Sequence, residues 1–370
     1  MRRLLLVLAL LLLLSSTAQA HMETDLFDLQ AEAVGVHEFE AYLPEDTRSV
    51  LADGSIGIGT SFEAGLSHIG QFALSQLGRI FQEATRSAAL VMVIALLVGL
   101  AGSVYASSGG DIPDFVPLVG VLAVASVAVG SSGAFIGFGM RTLEQLSNFS
   151  SALLPSMAAA GTASGAITSA TVKYAGTVLF LDLLMTVTVR VIMPLIYSFI
   201  AASIGAAAMD SEGLRGAANL LKWVTGVLIT TIMISFVGYL TVTGVVSGSA
   251  DALTTRVART TISAVLPVVG GIVSDAAETV LAGATLVRNG IGVVGLLSVL
   301  AICLIPILQL GAHYLMFKAV AGLSGNLTDK RIGEMIGSLG TAFGMVMGLT
   351  GAGAMMLFFS ILSTMRMVVR

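Results

Sequence analysis

Charge is what this sequence has least of. Only 11% of its 370 residues are Asp, Glu, Lys or Arg, where a soluble globular chain has about 25%. Hydrophobic residues make up 56%, and the mean hydropathy is +0.95. These values exclude a soluble domain for most of the chain and identify an integral membrane protein. Cysteine occurs once, as Cys303 inside an apolar run, so no disulfide can form within the chain. That thiol reads as a small core residue. The four histidines, His21, His37, His68 and His313, lack the spacing of metal ligands. There is no Gly-rich loop followed by Lys-Ser/Thr, no HExxH and no nucleophile–base constellation. No catalytic residue, metal, cofactor or nucleic-acid partner is therefore expected, and the chain does not read as an enzyme.

What is present begins with Met1–Ala20. Arg2 and Arg3 precede an apolar run, Leu4–Leu14, and Ala18-Gln19-Ala20 stands as a cleavage site. This is the pattern of a signal peptide. The apolar run is too short to span about 30 Å of hydrocarbon, which disfavours an uncleaved anchor. Residues 21–61 form an acidic, flexible, extracytoplasmic head. Ten carboxylates lie between 21 and 63 against Arg48 alone, so this head is a solvated leader or a surface for a basic partner. Residues 62–87 are amphipathic. Phe62, Leu66, Ile69, Phe72 and Leu77 recur at helical spacing, with Glu63, Arg79, Glu83 and Arg86 elsewhere on the wheel. That predicts a surface helix leading into the membrane.

Residues 88–370 read as an all-α, polytopic domain of about six spans with added amphipathic or re-entrant helices. The spans are about Ala88–Tyr105, Phe115–Gly139, Tyr174–Met209, Trp223–Val246, Ile291–Tyr314 and Thr341–Leu362. Gly133 and Gly137 in the second form a small-xxx-small pair. Gly333, Gly337, Gly340, Gly344 and Gly348 form a stripe that lets a helix approach closely. Arg141–Lys173 is too polar for a span and suits a re-entrant or interfacial hairpin. Tyr174–Met209 fits one tilted span or two short helices broken near Arg190 and Pro194. It holds Asp182, an intramembrane carboxylate of the kind that faces a bundle interior or wet cavity.

The segment about Pro267, covering about 251–290, reads as an amphipathic hairpin. Asp275, Glu278, Thr279, Thr285 and Asn289 share one helical stripe, while Arg256 and Arg259 share a face upstream. Pro267, Gly270 and Gly271 punctuate the chain between them. Pro267 is equidistant from Arg259 and Asp275, and from Arg256 and Glu278. A reversal there would oppose both pairs, whereas two unrelated interfacial helices would leave them apart.

Leu266-Pro267-Val268-Val269-Gly270-Gly271, Ser274-Asp275-Ala276 and Arg288-Asn289-Gly290-Ile291-Gly292 resemble the signature of the stage III sporulation protein AE family. The resemblance extends more weakly from about Phe62 to Arg370, through Leu153-Leu154-Pro155 and the terminal Met367-Val368-Val369-Arg370. Arg288 and Gly290 stand where that pattern leads us to expect Lys and Ala.

On residues alone, two classes remain: a subunit of a channel or export apparatus, and a secondary transporter or permease acting alone on a small solute. The resemblance implies the first. It implies a multi-pass component of a sporulation complex in the mother-cell membrane around the forespore. The partners it implies are other stage III sporulation A-operon proteins and, directly or indirectly, stage II sporulation protein Q. The lipid bilayer is a partner on composition alone.

Overall fold

In hydrocarbon every backbone N–H and C=O must find its partner within the protein, so a spanning chain of this composition has to be helical. The computed structural model describes residues 62–107, 115–265, 270–325 and 327–365, and within these all side chains except those of 106, 128–129, 131–135 and 244–284. Its helices are α1 (Phe62–Ser107), α2 (Phe115–Ala163), α3 (Ile167–Val187), a π turn (Thr188–Ile192), α4 (Met193–Met209), α5 (Glu212–Val265), α6 (Gly270–Ser324) and α7 (Lys330–Met365). No strand occurs among the described residues. Five helical runs are long and apolar enough to cross a membrane: Phe62–Tyr105, Ile167–Met209, Glu212–Thr243, Thr285–Ser324 and Lys330–Met365. The other expected span lies in α2, where Phe115–Val127 forms a shorter apolar stretch. The acidic head and the N-terminal leader lie outside the described residues.

Three local expectations change. First, the surface helix and the first span are one 46-residue helix, because neither Gly nor Pro interrupts Arg79–Leu97. Ile69, Ala73, Ile80, Ala84, Ala88, Val91 and Ala95 form a single buried stripe, while Glu63, Arg79, Glu83 and Arg86 are exposed. Second, Ile167–Met209 is one helical run and not two broken pieces. In a regular helix the Pro194 ring would meet the carbonyl four residues earlier. The π turn widens the helix just before it, with Met193 N–H donating to the Thr188 carbonyl five residues back. Third, Arg141–Lys173 is the end of α2 and the start of α3, joined by a tight reversal. Ala166 N–H donates to Gly161 O and Gly165 N–H to Thr162 O, both at 3.0 Å. This Schellman pattern needs a left-handed residue, and Gly165 supplies it at φ 85°.

Paired residues give the directions of the helices. Glycine contacts place Gly333 on Gly325, Gly337 on Ala321, Gly340 on Phe317 and Gly344 on Tyr314, and Gly292 and Gly295 meet Met365 and Ile361. Numbers falling on one helix as they rise on the other make α6 and α7 antiparallel. By the same logic α1 runs parallel to α6: Gly65 lies on Leu297, Thr85 on Met316 and Gly99 on Leu327. Helix α7 also packs on α2, α3, α4 and α5, which makes it the centre of the bundle. Small residues explain this role, since membrane helices associate by close van der Waals approach more than by apolar burial. Gly344 would bring a Cβ to 3.0 Å from the Tyr314 ring, whereas a Cβ on Gly348 meets nothing within 4 Å. The stripe therefore packs as far as Gly344, and Gly348 lies beyond it. Gly137 has only the Arg141 side chain of its own helix nearby, and the surroundings of Gly133 lie outside the described side chains.

Candidate functional site

Two polar constellations sit at opposite ends of this bundle. The first forms where the α4–α5 reversal meets the start of α7. Asp210 ends α4 in the left-handed region, φ 48°, which Asp tolerates better than most residues. Its carboxylate receives Arg215 at 3.1 Å and Arg331 at 3.5 Å. Arg215 also pairs with Glu212 and, at 3.2 Å, with Glu334 of α7. Asp329 caps α7 by accepting from Arg331 N–H at 2.9 Å. An isolated exposed pair contributes little. Here Arg215 and Arg331 share Asp210, so the network ties the α4–α5 corner to α7.

Beside this network lies a cavity of about 520 Å³ between α4, α5, α6 and α7. Arg215, Lys222, Lys318 and Arg331 line it against two carboxylates, Glu212 and Glu334. Both carboxylates already hold a cation: Glu212 takes Arg215, and Glu334 takes Arg215 and Lys330. Lys318 Nζ donates to Gly337 O and Thr341 Oγ1, each at 2.8 Å. Lys222 makes no ion pair or hydrogen bond among the described residues. Ser203, only 5% exposed, lines the same space with an Oγ that has no hydrogen-bond partner among the described residues. The arrangement can hold an anion; it has no paired nucleophile and base.

The second constellation is buried. Arg288 is 3% exposed on α6 and donates to Ser164 Oγ at 3.0 Å and to the Met365 carbonyl at 3.4 Å. Lys173 of α3 donates to the Ser363 carbonyl at 2.7 Å, and Thr177 bonds Ser360 at 2.5 Å. Two cations thus donate to backbone carbonyls near Met365 of α7. They tie α7 to α3, α6 and the α2–α3 reversal.

Asp182, expected to face a bundle interior or a wet cavity, is exposed on α3 and so does not enter the bundle interior. The buried face of that helix is Ala170, Lys173, Thr177, Leu181 and Leu184, and Asp182 falls off it. Arg190 is exposed too. Asn289 is half-buried next to Arg288. Gly270 is the first residue of α6, and Gly271 follows it. Pro267 lies outside the described residues. So do the side chains of Arg256, Arg259, Asp275 and Glu278, and with them the two expected Arg–carboxylate pairs. Sequence reasoning missed Lys173, Arg215 and Lys222 as site residues. It noted Arg288 as a departure from the family pattern and did not single it out as a site residue.

The family model described as stage III sporulation protein AE matches residues 51–367. A curated protein of Bacillus subtilis (strain 168), stage III sporulation protein AE, is 23% identical over 197 residues. The aligned part is 53% of this chain and 49% of the relative, so the chain spans about half the length of the curated relative it matches. No solved structure matches.

Proposed function

This chain belongs to the stage III sporulation protein AE family, and from that premise we propose that it is a multi-pass membrane component of a channel or secretion-like complex linking mother cell and forespore. The family implies a role in sporulation. Five helices able to cross a membrane suit a protein that works within the bilayer. On this reading it sits in the mother-cell membrane around the forespore and acts without catalysis. It assembles with other stage III sporulation A-operon proteins and, directly or through them, with stage II sporulation protein Q. The single observation that carries the reading is the family match across most of the chain. The large exposed apolar surface supports it, including Leu97, Leu100, Trp223 and Ile234, each at least 61% exposed. Lipid or neighbouring subunits must cover such a surface.

A second reading, a stand-alone permease for a small solute, draws support from the cavity of about 520 Å³, a size that fits small ligands. Deletion of the gene separates the two. The complex predicts normal vegetative growth, loss of heat-resistant spores and restoration by the intact gene. Normal spore yield after deletion would overturn it, and a growth defect confined to one solute would favour the permease.

A further inference from the structure

The charged cavity does not end at Lys222. A second, largely apolar groove of about 560 Å³ runs along the outer side of α5, lined by Trp223, Gly226, Val227, Thr230 and Thr231. The two spaces share Asn219 and Lys222. A cationic chamber therefore adjoins a largely apolar strip along one helix. We infer that this composite site holds one acidic phospholipid, with its phosphate at Lys222 and Lys318 and an acyl chain along α5.

The carboxylates of the cavity are engaged by Arg215 and Lys330, which leaves Lys222 and Lys318 without an acidic partner among the described residues. Two ammonium groups lining one space favour an anion. Lys318 directs two of its three donors to Gly337 O and Thr341 Oγ1, so one remains. Ser203 adds a buried hydroxyl without a partner in the same cavity. Basic pockets between membrane helices bind lipid head groups by this chemistry.

The groove then selects the kind of anion. Gly226 is open: a Cβ there meets no atom within 4 Å, so the groove has free space at this position. Trp223, a lining residue 64% exposed, is the residue type that sits at the head-group level of a bilayer. A free phosphate would use the cavity and ignore the groove, whereas a lipid uses both.

The test is native mass spectrometry of the detergent-purified full chain, titrated with phosphatidylglycerol or phosphatidylcholine of matched acyl chains. Inorganic phosphate is added in a separate arm. Lys222→Gln removes a charge that makes no bond within the described protein. Gly226→Leu adds a side chain to the groove at a position where a Cβ meets no neighbour within 4 Å. Both variants should melt like the parent protein. Phosphatidylglycerol should be retained over phosphatidylcholine. Lys222→Gln should weaken it by about fivefold, the effect of one Lys near a membrane surface. Gly226→Leu should weaken phosphatidylglycerol binding as well and leave binding of inorganic phosphate unchanged. Equal retention of the two lipids would overturn the inference. So would a Lys222→Gln variant that keeps full affinity. Displacement of lipid by inorganic phosphate, with Gly226→Leu inert, would reassign the site to free phosphate.

Discussion

Gly99→Leu is expected to remove most of the folded protein from the membrane. A Cβ at Gly99 would overlap the carbonyl oxygen of Leu327 and stand 3.4 Å from the Thr328 Cα. A flexible side chain could rotate away, but this contact is backbone. Either α1 must move off the α6–α7 turn, or the turn must rearrange and disturb the Asp329 cap of α7. Overpacking costs about 1–3 kcal/mol when side chains can adjust, and a fixed carbonyl puts this site at or above the upper figure. Gly348→Leu is the matched control, since a Cβ there meets nothing within 4 Å. Heating detergent extracts and following the surviving monodisperse peak should show a large fall in melting temperature for Gly99→Leu. The Gly348→Leu peak should stay close to that of the parent. Equal behaviour of the two variants would contradict this packing.

The second large effect is expected at Arg288. Its guanidinium is buried on α6 and joins the α2–α3 reversal to the last turn of α7 through Ser164 and Met365. Arg288→Ala leaves a cavity and strips a donor from the Met365 carbonyl. Large-to-small core changes cost about 2–5 kcal/mol, and an unmade buried hydrogen bond adds about 1–3 kcal/mol. Arg288→Lys should lose much less, because an ammonium can still reach one of the two acceptors. Arg288→Met discriminates further. Burying a cation costs desolvation energy, so an apolar side chain of similar length can be nearly neutral for stability. A methionine variant that folds yet fails to support sporulation would show that the charge serves assembly and not folding. Melting curves of the three variants should rank Lys and Met well above Ala. An alanine variant as stable as the parent would sink the argument.

Helices were legible from the sequence, because apolar runs and three- and four-residue spacing survive without tertiary information. The Gly stripe of α7 was legible for the same reason, although the sequence alone could not show that packing stops short of Gly348. The reversal at Gly165 was hinted at by the run of small residues after Pro155. The continuity of α1 and of Ile167–Met209 was not. The first depends on Arg79, Glu83 and Arg86 lying on the exposed face, and the second on a π turn that relieves Pro194. Asp182 shows what an isolated charge in an apolar run leaves open. Position within an apolar run does not say which face a residue takes. The better guide was Lys173, which shares its face with Thr177 and Leu181 and is buried. The charged cavity was divided between two polar stretches, Asp210–Lys222 and Asp329–Arg331, more than 100 residues apart in the chain. Only the antiparallel path of the helices brings them to one end.

The claim that organises these observations is that this protein works as one subunit of a sporulation assembly. The most direct measurement is affinity purification of the tagged, full-length protein from membranes of sporulating cells, with mass spectrometry of what is retained. The account predicts co-purification of other stage III sporulation proteins in reproducible proportion, lost in Gly99→Leu. Recovery of this protein alone from sporulating membranes, folded and with none of those partners, would contradict it.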